Sequence, residues 1–344
     1  MTSEPAGRFH TVDGSMARSG SRYKTTRTTL ITADGVRIDA EYRPSAEGTS
    51  ATAVVLAHGL THSLDRPAVR RAAAVFARRA AVVTFSFRGH GRSGGRSTVG
   101  DREVLDLAAA VRWARILGHP RVVTVGFSMG GSVVLRHAAL STDGRGPVAG
   151  TDRGRIEART AREGARARFP AATEAATTAA EAVMAAPWPE PSAHAPGPEP
   201  SAHPDAVVSV SAPARWYYRG TAPMRRLHWM ITHPLGRLVG RYGLRTRIQG
   251  RAWDPVPLSP VAAVPLIAPV PLLIVHGDRD PYFPLDHPRA LAAAGPAELW
   301  IEPGMGHTSY ARKASGDPRN ADDDRLFARI AQWLAAPEPP AHGP

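Results

Sequence analysis

The chain has 344 residues, no cysteine and a formal net charge of +13. Without thiols it has no disulfide framework, no cysteine nucleophile and no thiolate metal site. The length and an apolar fraction of 43% allow one large core or two small ones. The charge is nearly all arginine, with Lys24 and Lys313 the lysines. These arginines are spread along the chain without a helix-turn-helix, zinc-finger or aromatic RNA-binding signature, so nucleic acid is set aside as a partner.

Residues 1–23 are rich in Ser, Gly, Thr and Arg and read as a disordered tail. They lack the apolar run of a signal peptide, and the expected compartment is the cytoplasm. The longest apolar run, 261–275, is interrupted by Pro265, Pro269 and Pro271 and is too short to span a bilayer. Residues 25–32 and 36–42 alternate in polarity around Ala33-Asp34-Gly35, a hairpin signal. A buried strand over 52–57 stops at His58-Gly59. A helix over 67–80 then leads to a strand over 81–87, which ends in Arg88-Gly89-His90-Gly91-Arg92-Ser93. Asp101 is the expected N-cap of a helix reaching Leu117.

The stretch 121–140 organises the rest. A β-branched run, Val122 to Val125, precedes Gly126-Phe127-Ser128-Met129-Gly130, and a helix of small and apolar residues follows. A G-x-S-x-G between a strand and a helix is a nucleophile elbow, a sharp turn that lifts the serine hydroxyl out at the end of the sheet. Gly126 and Gly130 are required because a Cβ at either would collide with the neighbouring strand and helix. A second match, Gly91-Arg92-Ser93-Gly94-Gly95, runs into more Gly, Arg and Ser and reads as a loop. The β-α-β-α-β alternation implies right-handed crossovers and a parallel sheet.

Residues 144–203 carry no periodic apolar face, become Pro/Ala/Ser-rich, and read as a low-complexity disordered insertion. A strand over 206–210 follows. Residues 214–260 read as a small cap, in which 215–251 mixes aromatic residues and methionines with nine arginines and no Asp or Glu. Strands over 271–275 and 297–302 end in His276-Gly277-Asp278-Arg279-Asp280 and Pro303-Gly304-Met305-Gly306-His307. A closing amphipathic helix covers 322–336, and 337–344 is a second free tail.

A serine nucleophile needs a base, and the base an orienting acid. Ser128, Asp280 and His307 each lie just beyond a strand end, where loops of a parallel sheet gather on one edge. Asp278 competes with Asp280 for the acid's role, while His58, His90 and His276 read as structural hydrogen-bonders. No spaced set of metal ligands appears, and no cofactor is expected.

The segments His58-Gly59-Leu60, 87–93, Gly126 to Gly131, 276–280 with Pro284, and Gly306-His307 resemble the α/β-hydrolase superfamily. Within it the chain is most similar to serine esterases of the monoacylglycerol-lipase and serine-aminopeptidase-like branch. The resemblance implies the α/β-hydrolase fold: a mostly parallel eight-stranded sheet flanked by helices, with a small cap after the sixth strand. It implies Ser128 as nucleophile, His307 as base, Asp280 as acid, and the backbone N–H groups of Leu60 and Met129 as oxyanion hole. The expected reaction is hydrolysis of a small-molecule acyl ester, with acyl transfer to another acceptor or a non-catalytic binding role as alternatives. One departure is Ser86, where many relatives carry an acid. In the cap, Trp216, Trp229 and Met230 are the candidate substrate contacts. Its arginines suit weak contact with an anionic lipid surface, set against a plain solvated surface.

Overall fold

In the computed structural model, residues 25–48, 50–141, 201–307 and 319–335 are described. The expected tails, and all of the expected insertion except 201–203, lie outside the described residues. The hairpin signal is realised as β1 (Thr26–Ile31) and β2 (Arg37–Arg43), antiparallel around a turn in which Gly35 has φ +77°. There follow β3 (Thr52–Ala57), α1 (Pro67–Phe76), β4 (Ala81–Phe85), α2 (Glu103–Ile116), β5 (Arg121–Phe127), α3 (Met129–Leu140) and β6 (Ala206–Val210). Helices α4 (Ala222–Thr232) and α5 (Pro234–Gly243), within the segment expected to form a cap, and the short α6 (Pro260–Ala263) come next. The described chain closes with β7 (Leu272–Gly277), α7 (Asp286–Ala293), β8 (Glu298–Glu302) and α8 (Arg319–Ala335).

The eight strands form one sheet in the order β1-β2-β4-β3-β5-β6-β7-β8. β2 pairs antiparallel with β1 and β4, and every other pairing is parallel. The apolar runs of β3 to β7 are continuous, not alternating, because helices cover both faces of the sheet. In β3, Ala53, Val55 and Ala57 pack with α2, α3, α6 and α7, while Val54 and Leu56 pack with α1 and α8. On that second face Phe327 of α8 lies between Phe76 and Phe127, its ring centroid 5.9 Å and 5.8 Å from theirs.

Arg88 ties the loop after β4 to the rest of the fold. It is buried, bonds Asp34 of the hairpin turn at 2.7 Å, and donates Nε and Nη2 to one oxygen of the buried Asp106 of α2 at 2.9 Å and 2.7 Å. Asp101 does not cap α2: it lies against Arg136 of α3. The N-cap position is Arg102, which caps no helical N–H with its side chain and donates its own N–H to Thr98 Oγ1 at 2.8 Å. Because the parallel strands share one direction, the loops after β3, β5, β7 and β8 collect on a single edge, where Ser128, Asp280 and His307 meet.

Candidate active site

Ser128 joins β5 to α3 with φ 54° and ψ −115°, a backbone conformation that costs a non-glycine residue about 1–3 kcal/mol. The glycines on either side make the turn possible. A Cβ at Gly126 would enter the backbone of Gly130, and one at Gly130 would enter that of Ala57 in β3. The second G-x-S-x-G has no such setting: Ser93 is buried, donates to the Ser86 carbonyl at 2.5 Å and accepts the Asp39 N–H at 3.0 Å. Ser86, the departure from the resemblance, accepts the Leu64 N–H at 3.1 Å.

The loops after β7 and β8 interlock where Gly277 leaves no side chain in the way, since a Cβ there would overlap the Met305 carbonyl. Arg279 N–H bonds that carbonyl at 3.0 Å. The result is a continuous chain of groups. His307 Nε2 lies 2.9 Å from Ser128 Oγ, and His307 Nδ1 lies 2.7 Å from Asp280 Oδ2. The second carboxylate oxygen accepts the N–H groups of Tyr282 at 2.7 Å and Phe283 at 3.1 Å. The rings of those two residues flank the imidazole, with centroids 4.5 Å and 5.4 Å from it. Asp278, the competing acid, is turned away and holds the Gly304 N–H at 2.6 Å.

The other histidines of these loops are engaged in backbone bonds. His58 donates Nδ1–H to the Gly59 carbonyl at 2.8 Å and accepts the Phe87 N–H at 3.0 Å. Its basicity falls well below the ordinary histidine value, because burial penalises its charged form. His276 bonds the Phe283 carbonyl at 2.8 Å, and burial lowers its pKa also. Among the described residues no cluster of His, Asp or Glu could hold a metal ion.

Ser128 opens onto a cavity of about 340 Å³ whose lining includes Leu60 and Met129. Met129 is the first residue of α3, so its N–H has no partner within that helix. One wall is the face of α4 made by Met224, Leu227, His228 and Ile231. Another is Trp216, which donates to the Pro257 carbonyl at 2.9 Å and lies against Trp253, the ring centroids 5.1 Å apart. A third is the loop Ser97 to Val99. It is pinned by the buried Glu103, which accepts from Ser97 Oγ, Thr98 N, Thr98 Oγ1 and Gly100 N at 2.6–2.9 Å. Of the three expected contacts Trp216 is in the lining; Trp229 and Met230 are not. Trp229 points outward, 45% exposed and stacked on His233, because α4 gives the cavity the opposite side.

A family model described as the alpha/beta hydrolase family matches residues 54–316. The chain belongs to that family. Among solved structures, this hydrolase is similar to an esterase of Pyrococcus furiosus at 18% identity and a TM-score of 0.57, over 91% of this chain and 91% of that one. It is similar to the esterase domain of a Rhodothermus marinus protein at 16% identity and a TM-score of 0.51, over 90% and 98%. A Butyrivibrio proteoclasticus protein solved with ferulic acid bound is similar at 15% identity and a TM-score of 0.51, over 89% and 99%. These likenesses are of fold, and none singles out the monoacylglycerol-lipase branch. No curated protein sequence matches the hydrolase significantly.

Proposed function

We propose that this hydrolase cleaves carboxylic esters through an acyl-Ser128 intermediate. The observation that carries the reading is the Ser128–His307–Asp280 chain, with spacings of 2.9 Å and 2.7 Å, at the mouth of a mainly apolar cavity. Ser128 Oγ would attack the acyl carbon while His307 Nε2 takes its proton. Asp280 would keep Nδ1–H directed at itself and stabilise the imidazolium that forms. The backbone N–H groups of Leu60 and Met129 would receive the carbonyl oxygen as its charge develops, a contribution of about 3–4 kcal/mol for one such donor in a known protease. His307 then protonates the departing alkoxide, and water, deprotonated by the same imidazole, releases the acid. An ester suits this sequence better than an amide because an alkoxide departs more readily than an amine.

The lining supports an amphiphilic substrate. Met224, Leu227, Ile231, Trp216 and Phe283 offer an apolar surface for an acyl chain. Arg219 and Arg251 are also in the lining, both exposed and neither with a carboxylate partner among the described residues, which suits a polar or anionic group on the substrate. The test is labelling with a fluorophosphonate followed by a panel of p-nitrophenyl esters of increasing acyl length. Labelling of Ser128 with turnover that peaks at a medium chain is the expected result. A folded protein that neither labels nor turns over any ester would end the proposal.

A further inference from the structure

The two cap helices present to solvent what globular proteins usually bury. α5 is seated on its glycine edge: Gly236 and Gly240 are its buried residues, and a Cβ at Gly236 would stand 2.6 Å from Met230 Cα of α4. Its other side carries Leu235, Leu238, Val239 and Tyr242, at i, i+3, i+4 and i+7, which places them within about 100° of the helix circumference. This is the stripe that a surface helix turns toward its core. Here it faces outward, the four side chains 63%, 52%, 53% and 71% exposed. α4 adds Trp229 on the side away from the cavity, and the exposed Arg225 and Arg226 share that side. Arg241 and Arg245, also exposed, flank the end of α5.

Charge decides what can cover this face. Of the nine arginines between 215 and 251, Arg215 has an ion pair, with Asp286. Arg225, Arg226, Arg241 and Arg245 have no carboxylate partner among the described residues. A second copy of the chain would bury the apolar stripe but bring arginine against arginine, with no Asp or Glu in 215–251 to relieve it. An anionic lipid surface accepts both components: hydrocarbon at the headgroup boundary for the apolar stripe, and phosphate for the guanidinium groups. We propose that the outer face of α4 and α5 docks the cap on an anionic bilayer surface. The contact proposed is with the bilayer surface, and no described helix is long and apolar enough to span a bilayer. At ten residues, α5 is about 15 Å long, half the thickness of the hydrocarbon core. Docking there places α4, whose inner face lines the cavity, at the lipid boundary. The inference needs nothing of Ser128 and stands apart from the esterase reading.

The test is sedimentation of the full chain with vesicles of phosphatidylcholine alone and of phosphatidylcholine with phosphatidylglycerol, at low and high salt. Wild type should bind the anionic vesicles at least tenfold better and lose most of that binding as salt shortens the Debye length to about 3 Å. The quadruple variant Arg225→Gln, Arg226→Gln, Arg241→Gln, Arg245→Gln should bind on the order of 100-fold more weakly. Leu238→Glu with Val239→Glu should bind at least tenfold more weakly. A melting curve checks that each variant is folded, and Leu238→Ser with Val239→Ser replaces the glutamate pair if that pair does not fold. Equal binding to neutral and anionic vesicles, or folded variants that bind as wild type does, overturns the proposal. So does a wild-type dimer in solution that the Leu238 and Val239 changes convert to monomer, because a second copy then covers the face. Because binding is read without turnover, loss of the esterase reading would leave this result intact.

Discussion

Asp280 holds His307 by one carboxylate oxygen, 2.7 Å from Nδ1, while its other oxygen is fixed by the N–H groups of Tyr282 and Phe283. The carboxylate therefore has a set direction, and the imidazole tautomer follows from it. Replacement of Asp280 by Asn keeps the shape but offers an N–H where Nδ1–H must be accepted. Turnover of a p-nitrophenyl ester should fall about 10⁴-fold in Asp280→Asn. Asp278→Asn should stay within about tenfold of wild type, because that side chain serves the Gly304 N–H. A reversed ranking of the two variants would mean that Asp278 is the acid.

The two serine motifs separate in the same manner. Ser128→Ala should abolish fluorophosphonate labelling and lower turnover by about 10⁴-fold or more. Ser93→Ala should leave labelling intact but destabilise the fold by about 1–3 kcal/mol, since it strips the Asp39 N–H of its buried acceptor. Denaturant unfolding and labelling of both variants check this. Label that survives in Ser128→Ala and disappears in Ser93→Ala would reverse the assignment.

What was legible in the sequence is what is locally forced. The elbow needs glycine at two fixed offsets from Ser128, and the collisions a Cβ would cause at Gly126 and Gly130 are the reason. That Asp280 and His307 lie beside Ser128 could be read because parallel strands, visible as apolar runs, deliver their ends to one edge, whereas the choice of Asp280 over Asp278 came from the resemblance. The cavity wall was less legible. Trp229 and Met230 were expected there on side-chain chemistry, whereas the period of α4 selects Met224, Leu227, His228 and Ile231. Asp101 has the chemistry of an N-cap, yet Arg136 from another helix claims it. The loop Ser97 to Val99 is shaped by the buried Glu103, and no local pattern announces a carboxylate that collects its donors from the loop before its helix.

That difference at α4 gives a prediction. Ile231→Ala and Met224→Ala remove apolar surface from the cavity and should lower kcat/KM for the longest accepted ester by about tenfold or more, from about 1.5–3 kcal/mol of lost burial. Short esters should be affected less. Trp229→Ala should leave kcat/KM for soluble esters within about twofold. If Trp229→Ala shifts the chain-length profile and Ile231→Ala does not, the cavity is not the acyl site.

The last prediction concerns acid sensitivity. His137 of α3 is buried, and neither ring nitrogen has a hydrogen-bond partner among the described residues. Burial first, then the nearby charges of His203 and Arg112, lower its pKa to about 3. The unfolded chain binds this proton below about pH 6.5, and the folded one does not until far lower. Stability from this group is therefore complete above pH 6.5 and is lost progressively as pH falls from 6.5 toward 3. At pH 5 the loss is about 2 kcal/mol, from about 1.5 pH units at 1.36 kcal/mol each. His287, its pKa lowered to about 4 mainly by burial, adds a loss of the same sign, so wild type should weaken by more than the one group's share. His137→Leu removes both the unmet polar atoms and the titration. Urea unfolding at pH 7.5, 6 and 5 should give a variant at least as stable as wild type at pH 7.5. Its decline to pH 5 should be smaller than wild type's by about 2 kcal/mol. Parallel declines in the two proteins would show that His137 takes up no proton on unfolding and that its burial does not set the acid limit of the fold.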